Sequence, residues 1–434
     1  MKIYLDSIGC RLNQAEIEVY ARQFHTAGHT LVSSLEDADL ALVNTCTVTA
    51  AADSDSRAKI RQAARAGVGE LVVTGCWVTL NSQDASAMDG VNRIVLNQVK
   101  ESLVPDILGI SLASFDLEPL ERELVPGARF RTRAFIKVQD GCDNRCTFCI
   151  TTLARGTGRS RSIPQVLADI RGATRGSGDC EFDHAAAQEV VLTGVHLGSW
   201  GQDLDQPLHL RDLVMAILND TDVPRLRLSS LEPWDLEDDF FHLWQNPRLC
   251  RHLHLPLQSG SAATLKRMAR KTTPRAFVEL VTAARAVIPD VAVTTDIIAG
   301  FPGESEEQFA ESLAFVRQMA FAGGHVFTYS PRPGTTAADM PDQLPIAIRK
   351  ERNASMRGVF EEAACLYREK FLGIETQVLW ESATALGPDG WKLSGLTDNY
   401  LRVYACAPER LWNQITTVRL VEVEDGKILG EVKL

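Results

Sequence analysis

Residues 140–150, "DGCDNRCTFCI", place three cysteines in one short loop, and this loop decides how the chain is interpreted. Cys142, Cys146 and Cys149 have the spacing C-x3-C-x2-C, so their thiolates can hold one metal ion or cluster. Structural zinc and iron–sulfur sites usually have four protein ligands. The loop therefore predicts either a fourth ligand elsewhere in the chain or a metal with one open position.

Composition narrows the class of protein. The chain has 434 residues, ten cysteines and a formal net charge of −11. Neither a signal peptide nor an apolar run of membrane-spanning length is visible, which predicts a soluble cytoplasmic protein without membrane contact. The cysteine content then favours metal or redox chemistry over disulfides. Because the chain is acidic overall, a nucleic-acid partner requires a local basic patch.

Strand-like and helix-like stretches predict three regions. Residues 1–125 alternate in the manner of an open α/β sheet with parallel strands. Residues 126–370 contain six βα units, which fit a partial (β/α)6 barrel with its active site at the carboxyl ends of the strands. Residues 371–434 carry short β runs and a hairpin turn at Asp425-Gly426, which predict a small all-β barrel.

Three more cysteines each follow a predicted strand of the first region. Cys10 comes after "KIYLDSIG", Cys46 after "LALVNT" and Cys76 after "ELVVTG". In an open parallel sheet these strand ends share one edge, where ligands bind. A single cysteine is usually a small buried hydrophobe, but three at equivalent positions favour a second thiolate site.

Two metals remain open for these triads. Each triad could hold three irons of a [4Fe–4S] cluster and leave the fourth iron open. Zinc in the loop would require a fourth ligand. The candidates for that ligand are Cys180, His184, His196, His252 and His254. The spacing favours iron–sulfur over zinc.

With these motifs in view, the chain resembles a known family. The cysteine loop, with Phe148 inside it, is similar to that of radical S-adenosylmethionine (SAM) enzymes. With "SIGCRLNQAEIE", "VNTCTVT" and "TGC" before the loop, and "HLPLQSGS", "TTDIIAGFPGE" and "YSPRPGT" after it, the chain resembles the radical SAM methylthiotransferases over its whole length. The resemblance implies an N-terminal methylthiotransferase domain, a radical SAM barrel and a C-terminal TRAM-like β-barrel.

The resemblance also implies roles for the six cysteines. Cys142, Cys146 and Cys149 would bind the cluster whose open iron is chelated by SAM, which is cleaved to a 5′-deoxyadenosyl radical. The triad of Cys10, Cys46 and Cys76 would bind an auxiliary cluster that holds the sulfur to be inserted. One SAM would methylate that sulfur and a second would generate the radical. No catalytic residue beyond the cluster ligands is predicted.

The resemblance further implies contacts to SAM for five residues at predicted strand ends and for one aromatic residue of the loop. These are Phe148, Thr193, Gly194, Ser230, Glu232 and Gln258. The alternative for each polar group is that it satisfies nearby backbone at a strand end.

Subfamily motifs and local charge indicate the substrate. "VVLTGVHLGSWGQDL" and "HVFTYSPRPGTTA" resemble the branch that adds a methylthio group to C-2 of N6-threonylcarbamoyladenosine next to the anticodon. Residues 127–175 contain ten basic and three acidic residues, and Arg155, Arg159 and Arg161 are predicted to contact the anticodon stem-loop. Flavodoxin or ferredoxin is the expected electron donor.

The sequence leaves other functions open. The alternatives within the family are isopentenyladenosine in tRNA and an aspartate of a ribosomal protein. From other classes, they are an electron-transfer iron–sulfur protein and a non-catalytic iron–sulfur or zinc RNA-binding protein.

Overall fold

The computed structural model describes residues 1–115, 132–175, 186–388 and 390–433. The chain divides into two compact units. The first comprises Met1–Asn144, Cys149–His209 and Asn219–Thr221, and the second Arg145–Phe148, Leu210–Leu218 and Asp222–Leu434. The predicted boundary between residues 125 and 126 lies outside the described residues, so the division into three domains stays a prediction.

The first unit begins with a five-stranded sheet of order β2-β1-β3-β4-β5, in which all paired strands are parallel. Its strands are β1 (Lys2–Ser7), β2 (Thr30–Leu31), β3 (Leu40–Thr45), β4 (Glu70–Gly75) and β5 (Arg93–Val95). Every residue of the central strand β3 is buried, as expected for a sheet covered on both faces. The covering helices are α1 (Arg11–Thr26), α2 (Ala50–Arg65), α3 (Cys76–Leu80), α4 (Ser82–Ser86) and α5 (Leu103–Leu108). The predicted parallel α/β sheet is confirmed.

The first unit continues with the elements around the cysteine loop. They are β6 (Arg133–Lys137), β7 (Gln139–Asp140), α6 (Thr151–Arg155), β8 (Arg159–Ser160), α7 (Ile163–Thr174) and β9 (Glu189–Thr193). β6 pairs with β9 in parallel, and β7 pairs with β8 in antiparallel orientation. The cysteine loop and α6 lie between β7 and β8 in sequence. Because β7 and β8 pair, the two ends of this segment lie side by side.

The second unit carries the remaining α/β elements. Helix α8 (Leu210–Asp220) belongs to this unit up to Leu218. After it come β10 (Arg225–Leu228), β11 (His252–His254), α9 (Ala262–Arg267), α10 (Pro274–Val287), β12 (Ala292–Ala299), α11 (Glu306–Met319), β13 (Gly323–Thr328) and α12 (Ile346–Glu369). Strands β11, β12 and β13 form a parallel sheet in that order. α11 begins at a capping box in which Ser305 and Gln308 bond to each other's backbone. The predicted βα alternation is confirmed.

The end of the chain forms a closed barrel of order β14-β15-β16-β18-β17. The strands are β14 (Glu375–Gly387), β15 (Gly390–Thr397), β16 (Arg402–Ala407), β17 (Ile415–Glu424) and β18 (Lys427–Val432). Asp425 and Gly426 both have positive φ, 47° and 73°, which matches the predicted hairpin turn. The prediction of a small all-β barrel is confirmed. None of the helices in the described part of the chain is long and apolar enough to cross a membrane.

Candidate functional site

The first predicted cysteine triad lies at the carboxyl edge of the N-terminal sheet. Cys46 and Cys76 directly follow β3 and β4, and Cys10 lies three residues beyond β1. These three strands are parallel neighbours, so their carboxyl ends meet at one edge. Cys46 and Cys76 are buried, whereas Cys10 is exposed. The sheet therefore gathers three thiols that are far apart in sequence.

Two glycines allow the chain to approach closely at this triad. A Cβ atom on Gly9 (φ +102°) would lie 2.4 Å from Cβ of Cys46. A Cβ atom on Gly75 (φ +99°) would lie 2.3 Å from the carbonyl oxygen of Thr45. Each glycine directly precedes a predicted ligand. The Gly-Cys pairs are thus a sequence signal for the site, in addition to the strand ends.

Asparagine side chains contact two of the thiols. Cys10 Sγ donates to Asn13 Oδ1 over 3.8 Å, and the same oxygen accepts from Arg155 Nη2 at 2.7 Å. Asn97 Nδ2 donates to Cys76 Sγ over 3.6 Å. The sequence analysis did not single out Asn13 or Asn97. Only the position of Asn13 three residues after Cys10, one turn into α1, could have indicated it.

The pKa of the Cys46 thiol indicates what kind of group this site can bind. Burial raises its pKa to about 11, and the neighbouring Cys10 and Cys76 add to the rise. The Cys46 thiol will therefore lose its proton near neutral pH only when positive charge is bound beside it. Irons of an iron–sulfur cluster supply that charge to soft sulfur ligands, so the donor set fits such a cluster.

Arg155 does not lie where the sequence analysis predicted. Its side chain is only 2% exposed, and Nη1 donates to Glu16 at 3.1 Å and to Asp140 at 2.9 Å. A buried, fully paired guanidinium cannot reach a phosphate, so the predicted RNA contact of Arg155 is wrong. Burial alone would lower the pKa of Arg155, but Glu16, Cys76, Asp140 and Cys10 raise it well above its usual value. The cation is therefore held beside the first triad.

Arg155 belongs to a buried network of three cations and two carboxylates. Lys100 Nζ lies 2.5 Å from Glu16, and Lys137 lies 3.4 Å from Asp140. Burial would raise the pKa of Glu16, but Lys100, Arg155 and Lys137 lower it to about 2. Such a network is costly to bury and stays folded only while every charge has a partner. It therefore fixes α1 and α6, the two helices that flank the triad.

The other two predicted RNA contacts lie nearer to the surface. The side chain of Arg159 is 39% exposed, and its Nη1 donates to the carbonyl oxygen of Arg155 at 3.3 Å. Arg161 is less exposed and forms an ion pair with Asp169 at 2.6 Å. Arg159 therefore keeps more of its charge accessible than Arg161 does. Both RNA contacts stay predictions.

The cysteine loop starts from a tight turn that requires glycine. Gly141 has φ +73°, and a Cβ atom there would lie 1.8 Å from the carbonyl oxygen of Thr157. The next residue, Cys142, donates its backbone N–H to Gly156 O at 3.0 Å. Its Sγ accepts from the backbone N–H of Asn144 over 3.4 Å. Only glycine fits before Cys142, which repeats the Gly-Cys pattern of the first triad.

Residues 145–148 of the loop group with the second unit, where Arg270 contacts Cys146. Arg270 Nη1 lies 3.7 Å from Cys146 Sγ, and the two guanidinium nitrogens bind Glu232 at 3.1 and 2.6 Å. The guanidinium also lies 4.5 Å from the ring centroid of Trp234. Arg270 is a residue that sequence reasoning missed. Glu232, a predicted SAM contact, orients it.

The remaining predicted SAM contacts are distributed over both units. In the first unit, Thr193 is buried at the end of β9, and a Cβ atom on Gly194 would come within 3.0 Å of Gln139 Oε1. In the second unit, Phe148 packs edge-on against Phe301, with ring centroids 6.5 Å apart. These positions are well fixed by their neighbours. Their contacts to SAM stay predictions.

Ser230 and Gln258 lie beyond the ends of β10 and β11 in the second unit. Ser230 forms a parallel bridge with His254. Gln258 has φ +79°, which is uncommon for a residue with a side chain, and its N–H donates to Asp296 O at 2.8 Å. Strained residues of this kind are concentrated at functional sites.

The histidines proposed for the zinc alternative have other partners. His196 Nδ1 bonds to Asn144, while His252 and His254 both bond to Thr294. Cys180 and His184 lie outside the described residues. The described geometry therefore gives no support to a zinc site that uses one of these histidines with the loop cysteines.

Comparison with known proteins places the chain in a family. Residues 2–97 match the model described as Uncharacterized protein family UPF0004, and residues 136–316 match the radical SAM superfamily. A Bacillus subtilis protein, threonylcarbamoyladenosine tRNA methylthiotransferase MtaB, is 33% identical over 430 residues, covering 96% of this chain and 93% of the relative. A Thermotoga maritima protein of the same name is 34% identical over 409 residues, covering 92% and 90%.

A second group of relatives carries a different name. A Geobacillus thermodenitrificans protein, tRNA-2-methylthio-N(6)-dimethylallyladenosine synthase, is 30% identical over 453 residues, covering 99% of this chain and 83% of the relative. Among solved structures, the radical SAM methyltransferase TsrM from Kitasatospora setae matches with a TM-score of 0.56. That match has 14% identity and covers 78% of this chain and 75% of the other, so it supports the fold alone.

These matches define the class of protein. The chain belongs to the radical SAM methylthiotransferase family. It is an enzyme whose family uses SAM and [4Fe–4S] clusters.

Proposed function

We propose that this enzyme adds a methylthio group to C-2 of N6-threonylcarbamoyladenosine at the position next to the anticodon of tRNA. The observation that carries the proposal is the similarity to two relatives named for this activity, at 33% and 34% identity over at least 90% of each chain. The relative named for dimethylallyladenosine is 30% identical. Since the margin is small, the isopentenyl substrate is the first alternative and a ribosomal-protein aspartate is the second.

The two cysteine triads would hold the two clusters. Cys142, Cys146 and Cys149 would bind the cluster that chelates SAM, and Cys10, Cys46 and Cys76 the auxiliary cluster. When bound, SAM and the loop cluster supply a 5′-deoxyadenosyl radical. The reaction needs a radical because no side-chain base can remove the hydrogen of an unreactive C–H bond. Flavodoxin or ferredoxin would supply the electron, and the cytoplasm is the proposed location.

Residues around the triads would then have positioning roles. Arg155 would hold positive charge beside Cys10 and Cys76, and Arg270 would do so beside Cys146, where its bond to Glu232 fixes its orientation. The tight turn at Gly141 would set the direction of the cysteine loop. The candidates for contacts to SAM remain Phe148, Thr193, Gly194, Ser230, Glu232 and Gln258.

Binding of tRNA would rely on exposed basic residues near the loop. Arg159 is the strongest candidate, since its side chain is 39% exposed. Arg161 would contribute less because Asp169 already neutralises it. A contact between these side chains and the anticodon stem-loop would be electrostatic and largely independent of sequence.

Mass spectrometry of tRNA nucleosides tests the proposal. A strain that lacks the gene should lose 2-methylthio-N6-threonylcarbamoyladenosine and keep the unthiolated nucleoside, and the wild-type gene should restore the product. As a second condition, tRNA from cells unable to make the threonylcarbamoyl group should be a poor substrate in vitro. Equal turnover of tRNA with and without the threonylcarbamoyl group would assign the enzyme to another branch of the family. Loss of the methylthiolated isopentenyladenosine from the deletion strain would do the same.

A further inference from the structure

Three side chains in the second unit form a cluster that the cysteine sites do not use. His254, Asp296 and His325 lie on the adjacent parallel strands β11, β12 and β13. One ligand atom from each lies within 4.8 Å of the others. His254 Nε2 is 3.3 Å from one carboxylate oxygen of Asp296, and His325 Nδ1 is 3.1 Å from the other. Three neighbouring strands thus direct two imidazoles and one carboxylate toward one point.

The cluster lies on the face of the sheet that α12 leaves uncovered. Neighbouring residues of a strand point to opposite faces. A Cβ atom on Gly324 would lie 2.3 Å from the ring of Phe360 in α12, so the face of Gly324 is the one that this helix covers. His325, the next residue, therefore points to the opposite face, and its side chain is 68% exposed. The cluster is accessible to a solute.

A second layer of hydrogen bonds orients His254. Its other ring nitrogen, Nδ1, bonds to Thr294 Oγ1 at 2.9 Å, and the same hydroxyl bonds to His252 Nε2 at 2.9 Å. The ring of His252 stacks on Tyr400 with centroids 4.0 Å apart and planes 4° apart. Metal-binding histidines characteristically have such a partner on the nitrogen that does not face the metal. Here Thr294 fixes the ring so that Nε2 faces Asp296.

We propose that His254, Asp296 and His325 bind one divalent transition-metal cation, with zinc as the cation that the geometry fits. Two imidazole nitrogens and one carboxylate form a set that suits zinc and Fe²⁺, whereas calcium and magnesium prefer oxygen ligands. The two imidazole nitrogens lie 3.3 and 3.1 Å from the two different carboxylate oxygens of Asp296, and one ligand atom of each side chain lies within 4.8 Å of the others, which brings all three side chains within reach of one ion. Three protein ligands leave a fourth position open, so the bound cation could take an oxygen ligand from the exposed side.

The site differs chemically from both cysteine triads. Its ligands are nitrogen and oxygen and come from three strands, whereas the triads offer only sulfur from strand ends and a loop. The proposal does not depend on which nucleoside the enzyme modifies. Its failure and the failure of the substrate assignment are therefore independent outcomes.

Zinc binding to untagged protein with its iron–sulfur clusters in place tests the proposal. After anaerobic treatment with a chelator, Zn²⁺ should bind with about one equivalent per chain, and X-ray absorption should show only nitrogen and oxygen bonded to the zinc. His325→Ala and Asp296→Asn should weaken binding by at least about 100-fold, and Thr294→Val by about 10- to 100-fold. His242→Ala is the matched control, because His242 is exposed and lies outside the cluster, and it should bind like the wild type.

Iron and sulfide content should be unchanged in every variant, which shows that the protein is folded. His325→Ala is the most informative variant, because replacing an exposed side chain disturbs the core least. Sulfur bonded to the zinc would place the cation at vacant cysteines and overturn the proposal. Unchanged zinc affinity in Asp296→Asn, or no zinc uptake by the wild type, would also overturn it.

Discussion

The two cysteine triads are built in opposite ways. Cys142, Cys146 and Cys149 lie within one loop, so their proximity follows from spacing and from the turn at Gly141. The first triad, by contrast, is gathered from three separate strand ends by the order of β1, β3 and β4. A local site can thus be recognised from the spacing of its ligands, whereas a dispersed site can be recognised only once the strands that carry its ligands have been predicted.

Each triad has one buried arginine beside it, but the partners of the two arginines differ. Arg270 contacts Cys146 directly and shares its charge with the single carboxylate Glu232. Arg155 is held by the two carboxylates Glu16 and Asp140 within a buried network. The first triad is therefore coupled to the stability of the fold around it more strongly than the loop triad is.

Removal of the loop triad should have the largest effect. Changing Cys142, Cys146 and Cys149 together to Ala should reduce reconstituted iron from about eight to about four atoms per chain. SAM cleavage to 5′-deoxyadenosine should be abolished, since the cluster that would bind SAM is missing. Iron analysis and chromatography of the reaction measure both results. An unchanged iron content, or cleavage at the wild-type rate, would refute the assignment of this triad.

Arg155→Ala should be the most destabilising single substitution among the basic residues around the loop. The substitution removes the positive charge that pairs with the buried carboxylates of Glu16 and Asp140. Such a loss typically costs about 3–5 kcal/mol of unfolding free energy. The matched control is Arg171→Ala, at an exposed arginine outside the network, which should change stability by less than about 0.5 kcal/mol. Denaturant unfolding measures both. Similar small decreases in the two variants would show that the buried network does not hold the first triad.

The same network predicts an acid dependence of stability. Folding lowers the pKa of Glu16 from 4.5 to about 2, so its contribution is present above pH 4.5 and disappears as the pH falls toward 2. Between these values the unfolding free energy of the cluster-free wild type should fall more steeply than that of Glu16→Gln. Glu279→Gln, at an exposed glutamate, should follow the wild type. Identical slopes for all three proteins would contradict the ionised state of Glu16.

Charge reversal at the surface should have the smallest effect on the clusters. Arg159→Glu should weaken tRNA binding and reduce the salt slope by about one for each phosphate that the protein no longer neutralises. Arg161→Glu should have a weaker effect on binding, because Asp169 already pairs with Arg161. SAM cleavage without tRNA should be retained in both variants. An equal decrease in cleavage and in tRNA binding would mean that these residues support the cluster loop rather than RNA.

Features that depend on local pattern could be predicted from the sequence. The alternation of strands and helices indicated both α/β regions, and the cysteines at equivalent strand ends indicated the first triad. The misassignment of Arg155 has a physical cause, because its partner Glu16 lies 139 positions away and a basic run does not reveal burial. His254 was considered only as a partner of the loop cysteines, and its cluster with Asp296 and His325 escaped notice for the same reason, since only the register of three parallel strands brings the three residues together.

The central claim is that the two triads serve separate steps, and one variant tests it most directly. With Cys10, Cys46 and Cys76 all changed to Ala, the loop cluster should persist and 5′-deoxyadenosine should still form with SAM and a reductant. The methylthio nucleoside should not appear, because the inserted sulfur would have no site. Both products can be measured in one reaction by mass spectrometry. Methylthio product at the wild-type yield, or absence of 5′-deoxyadenosine with the loop cluster intact, would contradict the account.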